Sequence, residues 1–165
     1  MKKLLLLTIK IVFLTVLIAV SFDFLYTAVY LQSNERGKIE SVYNSNYRNY
    51  DVVILGSSRA NNHFVSQMFE DKGLKTFNYG MSGSHLFENS LLLKLMLERK
   101  YKIKHLILEV DLNLSNEKRA DGIASRFLPY IHDSKIIKEH FSAEPDFYPL
   151  YYVPFYRYIL FDGQI

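Results

Sequence analysis

Hydrophobic residues change rhythm three times along this chain. Residues 1–30, MKKLLLLTIKIVFLTVLIAVSFDFLYTAVY, are apolar almost without interruption, with lysines at 2, 3 and 10 and a lone acid at Asp23. A run of that kind predicts a membrane helix, because ~20 residues at ~1.5 Å each match a ~30 Å hydrocarbon core. Residues 31–50, LQSNERGKIESVYNSNYRNY, are polar and rich in Asn and Ser. They carry no sustained apolar period and predict a tether or a loosely helical stalk. From Asp51 onward, short apolar runs alternate with amphipathic stretches. Residues 51–55, 75–79 and 105–110 read as strands, the first of them short, β-branched and closed by Gly56, as a strand buried on both faces would be. Between them, residues 61–72 place Phe64, Val65, Met68 and Phe69 at helical spacing before Gly73. Residues 86–100 carry a wide leucine-rich face.

Strand, helix, strand, helix, strand with connections this short predicts right-handed crossovers and a parallel sheet. The fold class is therefore α/β, of the doubly wound kind. Beyond Asp111 the pattern weakens. Residues 135–141 read as a helix, and residues 147–161, FYPLYYVPFYRYILF, read as a core or packing surface interrupted by Pro149 and Pro154. The division that follows is a membrane anchor over 1–31, a polar linker over 32–50 and an α/β domain over 51–165.

The apolar segment has two readings. Small residues at Ala19-Val20-Ser21 would suit a signal peptidase, but cleavage there leaves a mature chain beginning FDFLYTAVYL, an adhesive free terminus. An uncleaved anchor is the better reading. Lysines before the span and mixed charges after it place the N-terminus in the cytoplasm and the domain outside, periplasmic or extracellular. The net charge of +3 comes largely from those lysines, and the rest has no basic stripe, which argues against nucleic acid. There are no cysteines, which removes disulfides, thiolate metal sites and cysteine nucleophiles.

Ligands of open parallel sheets bind beyond the carboxyl ends of the strands. All three predicted strand ends carry chemistry: Gly56-Ser57-Ser58-Arg59, then Asn78-Tyr79-Gly80-Met81-Ser82-Gly83, then Asp111-Leu112-Asn113. Each has a structural reading. Gly56, Gly80 and Gly83 can be turn glycines, Ser57 or Ser58 a helix cap, and Asn113 a turn residue. Together they suit a nucleophile facing several hydrogen-bond donors: a serine at a helix start, a glycine N–H open to close approach, and an asparagine amide. A phosphate site at residues 56–59 with Arg59 is a weaker alternative, since the lysine and longer glycine loop of a P-loop are missing. A G-x-S-x-G elbow fits poorly, because Ala60 stands where its second glycine belongs.

The blocks ILGSSR, NYGMSG and LEVDLN resemble, in order and placement, the first three sequence blocks of the SGNH (GDSL-like) hydrolase superfamily. The resemblance covers residues 51–113. It implies a three-layer, flavodoxin-like sheet of SGNH type and a serine esterase or acyl (acetyl) transferase, with no cofactor or metal. It makes Ser58 the nucleophile, with Ser57 in the family's aspartate position and Gly83 and Asn113 completing an oxyanion hole. Around Asn113, Asp111, Leu112 and Leu114 depart from the family's Gly-x-Asn-Asp pattern. With the predicted location, it implies an acylated envelope glycan or lipid as substrate. The family's D-x-x-H block is absent: none of His63, His85, His105, His132 and His140 follows an aspartate by three positions. A serine without a base is a poor nucleophile. Three strands in place of five add to the expectation of an incomplete domain, the front part of a longer protein and inactive as it stands. The rival from another class is a non-catalytic envelope binding or assembly module on the same scaffold.

Overall fold

The structure, a computed structural model, describes residues 1–32, 37–110 and 118–159. It is a mixed α/β arrangement around a three-stranded parallel sheet of order β2-β1-β3, with β1 Asn49–Leu55, β2 Thr76–Asn78 and β3 Lys102–Leu108. Val53 pairs with Phe77 on one side and Leu106 on the other. As the central strand, β1 is the most deeply buried, with Val53 and Ile54 sealed from solvent. β3 forms an edge among the described residues, with Leu106, Leu108 and the following Val110 exposed.

Helix α1, Lys2–Gln32, is 31 residues long, spans ~46 Å at 1.5 Å per residue, and buries nothing fully. Long and apolar enough to cross a membrane, it leaves its first half bare of protein contact. Its second half does not stand alone. Phe22 and Tyr26 pack on Phe155, and Tyr26 and Tyr30 pack on Tyr158. Asp23 Oδ1 accepts from Arg157 Nη2 at 2.6 Å, and its Oδ2 accepts from the Phe155 N–H at 2.8 Å. Thr27 Oγ1 lies 2.8 Å from Arg157 Nη2 and 2.6 Å from the Tyr158 hydroxyl. The aromatic C-terminal stretch is thus a packing surface, and its partner is the apolar helix. It folds as α8, Phe147–Tyr152, and α9, Tyr156–Ile159.

The stretch read as a polar tether contributes to the core. Helix α2, Lys38–Tyr43, buries Ile39 and Val42, and Asn49 and Tyr50 open β1. The helix expected over 61–72 is divided into α3, Ser58–His63, and α4, Gln67–Glu70. The cause lies elsewhere in the chain: Asn78 Nδ2 donates to the Ala60 and Phe64 carbonyls at 2.7 and 2.8 Å, ending α3 where Phe64 turns extended. Helix α5, Leu86–Glu98, lays Leu91, Leu92, Leu95 and Met96 into the main core. Two further short helices, α6 Asp121–Ala124 and α7 Lys135–Phe141, flank a 3-10 segment, Ser125–Tyr130, that closes the core with Phe127, Leu128 and Tyr130.

Candidate functional site

The loops after β1 and β2 and the end of β3 meet at Gly56. Its φ of +147° suits glycine, and a Cβ there would stand 2.8 Å from the Ala60 and Glu109 Cβ atoms. Both of its backbone groups are held. The N–H donates to Asn89 Oδ1 at 2.9 Å, and the carbonyl accepts from the Met81 N–H at 2.9 Å and faces Ser84 Oγ at 3.0 Å. Asn89 Nδ2 donates in turn to Ser84 Oγ and the His85 carbonyl. Glu109 continues the β1–β3 ladder, its N–H on the Leu55 carbonyl at 2.9 Å.

Of the two adjacent serines, Ser57 faces inward. It is buried, caps α3 by accepting from the Arg59 N–H, and donates from its hydroxyl to Glu109 Oε2 at 2.9 Å. Its own N–H reaches the same oxygen at 3.1 Å. Ser58, the predicted nucleophile, is the first residue of α3 and is exposed. Gly83 takes a left-handed φ of +82°, and a Cβ there would meet only Ile123 Cγ1 at 4.0 Å, so the backbone angle rather than space calls for glycine. Gly83 precedes Ser84, whose hydroxyl sits on Gly56, so the loops bearing Ser58 and Gly83 meet. Asn113, with Asp111 and Leu112, lies outside the described residues.

Three participants were not among the candidates drawn from the sequence. Glu109 stands inside the LEVDLN block, at a strand end, with no role read for it from the sequence. Lys38, assigned to the tether, donates from Nζ to Asn61 Oδ1 at 2.7 Å and to the Gly80 carbonyl, and its burial pushes its pKa down. Glu88, buried at the third position of α5, accepts from the N–H groups of His85 and Ala120, both at 2.7 Å. Burial raises its pKa against the opposing pull of those two bonds. The Glu88 signal was readable, as an acid three residues after a helix start.

The histidines are engaged elsewhere. His85 Nδ1 lies 2.8 Å from the Lys118 carbonyl. His140 has Nε2 3.1 Å from the Phe87 carbonyl and Nδ1 3.2 Å from Lys94 Nζ, and burial, then Lys94, lowers its pKa. His132 packs at a tilt against Tyr151, while His63 and His105 are exposed. None of these contacts reaches Ser57 or Ser58. Among the described residues no group of three or more His, Asp or Glu side chains could hold a metal ion.

The site can therefore present one accessible hydroxyl, Ser58, beside a second, Ser57, fixed by a carboxylate. Compared with known proteins, the chain matches no family model, no curated protein and no solved structure.

Proposed function

We propose that this chain is a membrane-anchored, extracytoplasmic SGNH-like protein whose α/β domain is a doubly wound, three-layer sheet of that type. Its chemistry is hydrolysis or transfer of an acyl group, acetyl above all, on an envelope glycan or lipid ester. The meeting of the β1 and β2 loops with the end of β3 at Gly56 supports this reading most: it holds Ser57 on Glu109 and leaves Ser58 open at the first turn of α3. In the reaction, Ser58 Oγ attacks the ester carbonyl and its proton passes through a base to the leaving alkoxide as the C–O bond breaks. The acyl-serine is then released to water or to an acceptor hydroxyl. The Ser58 and Gly83 N–H groups and the Asn113 amide are assigned to the oxyanion.

A specific observation favours the second reading, a non-catalytic binding or assembly module. None of the histidine contacts among the described residues reaches either serine, and a hydroxyl without a base is weakly nucleophilic. One experiment separates the two. Full-length protein in membranes is treated with a fluorophosphonate probe: labelling that disappears in Ser58→Ala supports the hydrolase, and labelling that survives it removes Ser58. A folded chain that takes no label supports the binding module.

Orientation is tested separately. The cysteine-free chain allows a single Asp71→Cys variant. An impermeant maleimide should label it on intact cells or spheroplasts, whereas labelling only after lysis reverses the topology.

A further inference from the structure

A cleft of about 460 Å³ opens between the second half of α1 and the α8–α9 segment. That size falls within the ~300–1,000 Å³ of sites that hold small molecules. From α1 it is lined by Val20 and Phe24, and from the other wall by Leu150, Tyr152, Val153 and Arg157. Val20, Asp23, Phe24 and Thr27 follow helical spacing, so one stripe of α1 forms a whole wall.

Arg157 distinguishes this cleft from a packing defect. It is 2% exposed, and Asp23 and Thr27 engage only Nη2. Its Nε and Nη1 have no hydrogen-bond partner among the described residues. Buried guanidinium donors are costly to leave unmatched, and their preferred match is a phosphate or carboxylate.

We infer that the cleft holds a bilayer phospholipid with an anionic headgroup, its phosphate taken by Arg157 and an acyl chain lying along Val20 and Phe24. This rests on reading α1 as membrane-spanning. Val20 and Phe24 are then at lipid depth, and the cleft is continuous with the apolar helix surface exposed over Leu4–Leu17. With Asp23 balancing the Arg157 charge, the two unengaged donors select the headgroup, favouring a phosphate not already paired with its own cation. The apolar wall selects a lipid over a free phosphate.

The chain contains no tryptophan, so single-tryptophan variants report locally. Tyr152→Trp places the reporter in the cleft, and Phe13→Trp places one on the bare half of α1. Both are reconstituted as full-length chains in phosphatidylcholine vesicles containing, as a minor component, brominated-chain phosphatidylglycerol or brominated-chain phosphatidylcholine. The Tyr152→Trp emission should be quenched with roughly ten-fold preference for the brominated phosphatidylglycerol. Phe13→Trp should be quenched equally by both. Arg157→Lys in the Tyr152→Trp background keeps a charge for Asp23 but removes the two open donors, and the preference should vanish. Quenching of Tyr152→Trp by both lipids alike, or by neither while Phe13→Trp responds, overturns the lipid site. Relief of quenching by soluble glycerophosphate reassigns the site to a free phosphate and also overturns it. A Phe13→Trp variant that neither lipid quenches instead sinks the membrane-spanning reading itself.

Discussion

The chain buries two polar clusters and finishes them differently. At Gly56, the backbone N–H and carbonyl, both ends of the Asn89 amide, and the Ser57 and Ser84 hydroxyls all have partners. At Arg157, one guanidinium nitrogen is engaged twice and two buried ones have no partner among the described residues. Buried polar groups are paired in the great majority of native structures. A closed network is explained by the fold it fastens, whereas an open one calls for a further partner. The Gly56 cluster therefore acts as a rigid support for Ser58, and the Arg157 cluster as a receptor.

The sharpest way to break this contrast is Asp23→Asn. It strips the counter-charge from a guanidinium whose side chain is 3% exposed, and loss of one partner of a buried pair costs about 3–5 kcal/mol. Thermal unfolding in detergent should show it as the largest single loss, and saturating phosphatidylglycerol should restore part of it. Restoration by phosphatidylcholine to the same extent would remove the charge argument.

Next comes Gly56→Ala. Its φ of +147° and the 2.8 Å approaches to Ala60 and Glu109 predict a cost of about 3 kcal/mol from strain and overpacking together. An unchanged melting temperature would mean that the loops can separate. Asn89→Ala should cost about 2 kcal/mol, because it leaves the buried Gly56 N–H without an acceptor. Hydrogen exchange at Gly56 should speed up in the same variant. Both changes should also reduce fluorophosphonate labelling if Ser58 depends on this support.

The smallest effect concerns a partly buried pair that serves as a control. Asp146 accepts from Arg119 Nη1 at 2.6 Å and also from Nη2, and this holds its carboxyl below the usual aspartate range. A depressed folded pKa stabilises above the unfolded pKa and is lost as pH falls through the folded value. Asp146→Asn should therefore cost roughly 1 kcal/mol at neutral pH, and the gap to wild type should close in strong acid. Melting curves across that range check it, and a gap that widened in acid would contradict the assignment.

Much of the fold was legible because the strands and α5 announce themselves locally. Residues 51–55, 86–98 and 135–141 each contain, within one or two turns of chain, the apolar spacing that buries them. The failures share a cause. The break between α3 and α4 is made by Asn78, and the core role of α2 rests on two apolar residues in a polar stretch. The tie between Asp23 and Arg157 joins residues 134 positions apart, with no motif at either end. At the candidate site, the sequence marked two loops that meet in the structure, after β1 and after β2, while its third, Asp111–Asn113, lies outside the described residues; it could not say which of two adjacent serines turns inward. That depends on the φ and ψ of one turn and on Glu109 waiting at the end of another strand.

The margin of β3, unpaired among the described residues, carries a consequence for the protein in quantity. Leu106, Leu108 and Val110 are exposed along it, and of its two lysines Lys104 is already drawn to Asp51 at 2.6 Å. Lys102 is left as the main electrostatic guard against strand-to-strand adhesion. For a chain anchored as proposed, confinement to a plane raises the encounter frequency of such margins far above that in free solution. Overproduction will therefore favour lateral clustering of intact chains well before any of them melts.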